Sequence, residues 1–228
     1  MIPEEFERNY SHNLAELRSK PGVFSIFEEM RYDVGAHPEN FVDYECAFAA
    51  YHINRLNPQD ILDIGSYRHF ILGMLSHFKV TTIDVRDRKP FSDNEVVVTC
   101  DAKNLDLLDD SFDVVMSLCT LEHLGLGRYG DEFDVAADRK AFAEMVRVLR
   151  PGGHLVFTTT ITRAQPSIAF NAHRIYSYGM LRAFCAGLIC IEEKFYSHKI
   201  QDFCSGEEVT AEPNAWDVYC GCWQKMGR

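Results

Sequence analysis

From residue 60 onward the chain alternates short apolar strands with helical stretches, and acids mark the ends of the first three strands. Ile61-Leu62-Asp63-Ile64 reads as a strand that turns at Gly65-Ser66, and Phe70 to Phe78 as a helix. Val80 to Val85 is β-branched and reads as a second strand, Glu95 to Cys100 as a third with three consecutive valines, and Phe112 to Leu118 as a fourth. Strands this short and this continuously apolar belong in a parallel sheet covered on both faces. Phe142, Met145, Val146 and Leu149 then repeat at helical spacing, with Arg139, Lys140, Glu144, Arg147 and Arg150 on the remaining face. Pro151-Gly152-Gly153 stops that helix, and His154 to Ile161 reads as the fifth strand. Ser177 to Gly187 reads as a helix, followed by strands at Leu188 to Tyr196 and Trp216 to Gln224. Two strands with no helix between them predict an antiparallel final pair. The expected fold is α/β: a doubly wound Rossmann-like sheet, mostly parallel, with an antiparallel C-terminal strand and an N-terminal helical segment.

The N-terminal segment, residues 1–58, reads as a helical lid or cap on a domain spanning 59–228, the two making one structural domain overall. After His37-Pro38, residues Phe41, Tyr44, Phe48 and Tyr51 recur at three- and four-residue steps, an aromatic helix face best explained by core packing. Asn57-Pro58 ends that helix. The aromatic count at 41–51 also leaves room for a homodimer contact.

Composition narrows the function classes. The formal net charge of -11 opposes nucleic-acid binding, which requires a basic face. No apolar run approaches the roughly 18 residues of a membrane span, and residues 1–7 lack a signal-peptide pattern. The eight cysteines lie mostly in apolar runs, and Cys220-Gly221-Cys222 puts two thiols on one strand face rather than around a metal. Free thiols and a cytoplasmic location are expected.

Ligands of such sheets bind beyond the carboxyl ends of the strands, where strand order reverses. That places the turn at Gly65-Ser66 in the crevice. Asp84 ends the second strand 21 positions after Asp63, the spacing at which a carboxylate accepts ribose hydroxyls. Asp101 follows the third strand beside the small Ala102, suited to the adenine edge. Three acids at three successive strand ends indicate an adenosine-containing ligand.

Residues 60–160 resemble the class I S-adenosylmethionine-dependent methyltransferases. The matching segments are Ile61-Leu62-Asp63-Ile64-Gly65-Ser66, Asp84, Cys100-Asp101-Ala102, Asp110-Ser111-Phe112-Asp113-Val114-Val115 and Arg147-Val148-Leu149-Arg150-Pro151-Gly152-Gly153. The resemblance implies S-adenosyl-L-methionine as cofactor. By it the loop Asp63-Ile64-Gly65-Ser66 holds the donor, with Gly65 and Ser66 lining the methionine moiety, Asp84 holds the ribose, Asp101 and Ala102 read adenine, and Ser117 and Leu118 lie near the methionyl amine. The family's first loop continues with further glycines, where this chain has Tyr67-Arg68-His69. Residues 121–131 and 170–177 resemble a narrower bacterial group associated with polysaccharide biosynthesis, which implies a small-molecule acceptor such as a nucleotide sugar or saccharide.

Those two segments follow strands four and five, on the rim where an acceptor meets the methyl group. His123 and His173 are the candidate general bases for a hydroxyl acceptor. Asn171 is expected to orient the substrate or an imidazole. Arg128 suits an acceptor carboxylate or phosphate and Tyr129 a sugar ring; the opposing reading pairs Arg128 with Asp131 as a loop brace. Asp131, Asp134 and Asp138 are weighed as a Mg2+ cluster and set below a metal-free route. The leading function is O-methylation of a sugar or other small hydroxylated acceptor. The alternatives are N- or carboxyl-methylation, and a degenerate fold serving as donor-binding or partner subunit.

Overall fold

A computed structural model describes residues 2–20, 22–35 and 39–227; His37 and Pro38 lie outside the described residues. The chain divides into two compact units, residues 1–39 and 40–228. In the first, α1 (Glu4–Ser19) carries Glu4, Glu5 and Glu7 in its first turn, where the helix dipole favours acids. Phe6 meets Tyr32 edge-on at 4.6 Å, and Arg18 pairs with Glu28.

The second unit begins with α2 (Phe41–Leu56). Asn40 caps it through a capping box with Asp43, and Asn57 ends it in the left-handed conformation before Pro58. Its inner face buries Glu45, Phe48, Ala49, His52 and Ile53. Phe41, Tyr44 and Phe48 of the aromatic series pack inward, while Tyr51 stays 49% exposed.

The strands are β1 (Asp60–Ile64), β2 (Lys79–Asp84), β3 (Glu95–Thr99), β4 (Phe112–Leu118), β5 (Leu149–Thr162), β6 (Ser167–Ala169), β7 (His173–Ser177), β8 (Leu188–Ser197), β9 (Asp202–Cys204) and β10 (Asp217–Lys225). The helices between them are α3 (Arg68–Met74), α4 (Ala137–Val148) and α5 (Tyr178–Phe184). The sheet runs β3-β2-β1-β4-β5-β10-β8-β9, with β7 beside the end of β5 and β6 paired to β7. Pairs β3-β2-β1-β4-β5 are parallel; β10 lies antiparallel to both β5 and β8. This is the Rossmann-like sheet with an antiparallel C-terminal strand that the strand–helix alternation predicts. The short β6, β7 and β9 lack the length and periodicity to be read in advance.

Period-two alternation splits the core between two faces. Ile61, Val114, Met116, Val156, Val218, Cys220 and Cys222 face α2 and α3, while Leu62, Val115, Leu155, Phe157, Tyr219 and Trp223 face α4 and α5. Both thiols of Cys220-Gly221-Cys222 thus share one face, and all eight cysteines are free. The helix stop lies one residue earlier than the apolar spacing suggests. Leu149 is already extended and opens β5, and Pro151–Gly153 forms an irregularity inside that strand. Among the described residues no helix is long and apolar enough to cross a membrane.

Candidate functional site

Strand order reverses between β1 and β4, and a cleft opens at their carboxyl ends. It is lined by Ile64 and Gly65 at the end of β1, Ile83 to Arg86 at the end of β2, Cys100 and Ala102 after β3, and Thr120, Leu124 and Tyr129 after β4. Its enclosed free volume is about 70 Å³, and the space reaches about 480 Å³ only when the open mouth is counted. Gly65 has φ +69°, and a Cβ there would stand 2.6 Å from Thr120 Cγ2. Only glycine lets the first loop approach the end of β4 this closely.

Asp84 forms the polar wall. Its Oδ1 accepts from Arg86 N (2.9 Å) and Nε (3.0 Å), and Oδ2 from Arg86 Nη2 (2.9 Å) and from Arg88. Burial alone would raise this carboxyl, but the bonds to Arg86 and both guanidinium charges hold it below the usual carboxylate range. It is therefore an anion at neutral pH. Ala102 and Cys100 supply the apolar wall. The Asp101 carboxylate is braced by Lys103, accepting from its N–H at 2.9 Å and facing its Nζ at 3.2 Å. The structure thus brings Gly65, Asp84 and Ala102 to the cleft and sets the Asp101 side chain beside it.

Four other candidates lie beneath the cleft, engaged within the protein. Ser66 is buried, and its Oγ accepts from Leu118 N at 2.9 Å; Ser117 Oγ donates to Ile64 O at 3.1 Å. These two bonds stitch the end of β1 to the end of β4. Leu118 belongs to the core. Asp63 is fully buried, and neither carboxylate oxygen has a well-formed hydrogen bond. Burial pushes it up to about 7, although Ser66 and Arg88 pull it down.

The glycine-poor continuation of the loop now has an explanation. Tyr67 turns away from the cleft, and its hydroxyl donates to Glu45 Oε2 on α2 at 2.8 Å. Arg68 reaches Glu95 at the start of β3, donating from Nη2 to Oε2 at 2.9 Å and from Nη1 to Oε1. Both side chains tie the loop to its surroundings, which leaves room at Gly65.

On the rim, the turn Leu121–His123 follows β4. His123 Nδ1 lies 2.6 Å from Ala172 O; a carbonyl only accepts, so Nδ1 carries the proton and Nε2 holds the free lone pair. Burial, with the nearby Arg128 and Arg174 charges, lowers His123 below its ordinary value despite that bond. Burial, then the charges of His123 and Arg128, lower His173 as well. The two rings stand 6.2 Å apart, edge to face. The partner of His123 is thus the Ala172 carbonyl, and the Asn171 side chain is exposed. Asp131 braces the loop through the amides of Gly125 (2.7 Å) and Tyr129 (3.1 Å), and Arg128 points instead toward His123, Ala172 O and the Tyr129 ring. The suggested magnesium cluster does not form. Asp134 pairs with Lys140, Asp138 meets Arg174 and Tyr176, and among the described residues no acidic, histidine or cysteine group is disposed to hold a metal.

Several residues at the site carry no local sequence signal. Trp216 lies 5.7 Å from His173 and 4.5 Å from His198, ring to ring, and Phe41 meets Trp216 at 5.5 Å. His198 Nδ1 faces the buried Asp217 at 3.3 Å. Glu45 is equally unannounced. Arg86 was findable, because Asp84-Val85-Arg86-Asp87-Arg88 sets two cations beside the expected ribose acid.

A sequence-family profile described as "Caenorhabditis protein of unknown function, DUF268" matches residues 71–203. No curated protein matches the chain by sequence. Among solved structures, the [4+2]-cyclase SpnF aligns at TM-score 0.62 and 16% identity, over 82% of this chain and 81% of that one. The 1,6-didemethyltoxoflavin-N1-methyltransferase of Burkholderia thailandensis, solved with its substrate and S-adenosylhomocysteine, aligns at 0.60 and 15%, over 99% and 91%. The N-methyltransferase NodS of Bradyrhizobium japonicum, in complex with S-adenosyl-L-homocysteine, aligns at 0.53 and 18%, over 81% and 96%. At such identities these likenesses establish a shared fold. That one of these proteins is a cyclase shows that the fold alone leaves the chemistry open.

Proposed function

The chain belongs to the DUF268 family, and we propose that it is an S-adenosylmethionine-dependent methyltransferase that O-methylates a small hydroxylated acceptor such as a sugar or nucleotide sugar. The observation that carries this is the cleft itself. Gly65 at the first turn, Asp84 21 residues after Asp63 and Ala102 after the third strand line one cavity at the strand-order reversal. His123, whose basicity is lowered, follows the lining residue Thr120 by three positions, with His173 6.2 Å from it. The residues fit the donor. An ionised carboxylate at the end of β2 suits ribose hydroxyls, the Cys100–Ala102 wall suits adenine, and Gly65 keeps the loop free of a side chain. Asp63, Ser66, Ser117, Leu118 and Asp101 then act as supports for that surface. Cofactor-bound structures of the two methyltransferase neighbours support the same choice of ligand.

When bound, the donor supplies a methyl group on a positively charged sulfur. What the protein must do is orient an acceptor oxygen in line with it and take up the hydroxyl proton. His173 is the favoured proton acceptor and His123, through Nε2, the second. Lowered basicity keeps both imidazoles neutral, as a base requires. Tyr129, 37% exposed, offers a face for a ring-shaped acceptor, and Arg128 an anchor for an anionic group. Donor binding is tested by calorimetry, and transfer by a screen of nucleotide sugars with radiolabelled donor. A chain that binds the donor and labels none of them would sink the sugar reading; one that binds no donor up to millimolar concentration would sink the enzyme reading.

A further inference from the structure

The aromatic side chains beside the cleft form a row, and only its first members have a task in the proposed reaction. Tyr129 lines the cleft, and its ring lies 6.1 Å from that of His123. His123 stands 6.2 Å from His173, His173 5.7 Å from Trp216, and Trp216 4.5 Å from His198. Strand register brings these distant residues together. β5 runs parallel to β4 with Leu118 beside Thr158, so Ile161 lies further toward the cleft edge of the sheet. Asp217, the first residue of β10, pairs with Ile161, and Val218 with Tyr196 near the end of β8. Trp216 and His198 therefore emerge at the edge that carries the cleft. The row is open to solvent: Tyr129 is 37% exposed, the His198 side chain 38%, and His173 and Trp216 are half-buried.

At the far end of the row His198 is mounted on a buried carboxylate. Asp217 accepts from His198 N at 2.8 Å and from Thr210 N at 2.7 Å, and its Oδ1 faces His198 Nδ1 at 3.3 Å. Burial alone would raise Asp217, but the bonds from the His198 side chain and from the two amides hold it below the usual carboxylate range. An ionised carboxylate only accepts, so Nδ1 carries the proton. In the neutral ring Nε2 then keeps its lone pair, with no hydrogen-bond partner among the described residues. Neither Trp216 nor His198 stacks on or pairs with a lysine or arginine among those residues. This end suits a neutral, hydroxyl-rich ligand better than a phosphate.

We propose that the row is an extended acceptor subsite for a saccharide of two or more rings. The first sugar lies along Tyr129 and the His123–His173 pair, and the next packs a C–H face on Trp216 while one of its hydroxyls donates to His198 Nε2. Asp217 is a positioning residue, since it holds the imidazole through both Nδ1 and the backbone amide. Apolar ring faces beside a few fixed polar groups match the C–H and O–H surfaces of a sugar. The inference rests on the acceptor reading of the rim and adds the ligand's length to it.

Trp216 supplies its own readout. The chain has two tryptophans, and Trp223 is only 1% exposed, so a ligand on the row is seen through Trp216 fluorescence. The wild-type chain is titrated with glucose, maltose and cellobiose, and with N-acetylglucosamine and chitobiose, by fluorescence and calorimetry. At least one disaccharide is expected to bind about tenfold more tightly than its own monosaccharide, the order of one added aromatic contact, and to change the emission. Trp216→Leu abolishes that advantage. His198→Gln, an exposed change that the fold tolerates, lowers disaccharide affinity about threefold, the order of one hydrogen bond, with monosaccharide affinity unchanged. Equal affinity for each disaccharide and its monosaccharide, or an advantage that survives both substitutions, overturns the extended subsite and leaves a one-ring acceptor site standing. Binding of none of these sugars overturns it too, and the nucleotide-sugar screen then decides whether the acceptor reading falls with it.

Discussion

The half of the sheet built from β1, β2, β3 and β4 differs from the half built around β5, β7, β8 and β10 in how each makes a site. In the first half every cleft residue comes from the last residues of a strand or the loop that follows it, within 64–129, and the strands are all parallel. In the second the rings of Phe41, His173, His198 and Trp216 come from four separate parts of the chain. Short-range, repetitive construction suits a common ligand, whereas a site gathered from distant segments changes with each insertion. On the proposed function, the contrast accounts for a first half that suits a named cofactor and a second that suits only a class of acceptor.

The comparison breaks most visibly if removing a rim histidine harms donor binding. His173→Ala is expected to lower kcat about 10²–10³-fold with donor affinity within twofold of wild type, once the screen supplies an acceptor. Because both imidazoles are depressed below the ordinary value of 6.5 and must be neutral to act, activity falls only as pH drops through a pKa below 6.5. A limb above pH 7, or equal loss in binding and turnover, would merge the two halves. Gly65→Val is the converse test. Its side chain meets Thr120 at a left-handed φ, so donor affinity should drop about a hundredfold or more by calorimetry, equally for every acceptor tried.

Legibility follows the same division. Asp84 and Ala102 were readable because a parallel strand ends in a fixed direction, so the next residue points into the crevice. The family resemblance puts Ser66 and Leu118 near the crevice, and only the packed structure shows that Ser66 Oγ is occupied by Leu118 N. Tyr67 stood out as a departure, but nothing local tells that its partner is Glu45, 22 residues upstream. His198, Asp217 and Trp216 escaped notice because antiparallel pairing of β8 and β10 joins them, and no motif marks that register.

Asp63 sharpens the contrast through stability rather than activity. Its folded value of about 7 lies above the ordinary 3.8, so between these values the native state holds the extra proton. Stability from this group is full below pH 3.8 and is lost as pH rises toward 7, a fall on the order of 4 kcal/mol. Asp63→Asn should flatten that part of the melting-temperature profile. An unchanged slope would mean that Asp63 is already ionised, held so by Ser66 and Arg88. The buried acid beneath the donor cleft would then cost nothing at neutral pH.

The smallest expected effect sits where the two halves touch. The Arg86 guanidinium lies 4.8 Å from the centre of the Tyr129 ring, so a side chain of the β2 loop covers one from the rim. The same guanidinium occupies the carboxylate that ribose hydroxyls would use. Its side chain is 61% exposed, against 17% for Arg88, so the pair with Asp84 is worth little to folding. Arg88 still keeps Asp84 ionised when Arg86 is gone. Arg86→Ala should therefore free one edge of Asp84 and raise donor affinity about threefold, near 0.6 kcal/mol by calorimetry, with no change in melting temperature beyond a degree or two. A tenfold loss instead would make Arg86 a direct donor contact. The first half would then reach across the cleft through Tyr129, and the line between the two would have to be drawn beyond the rim.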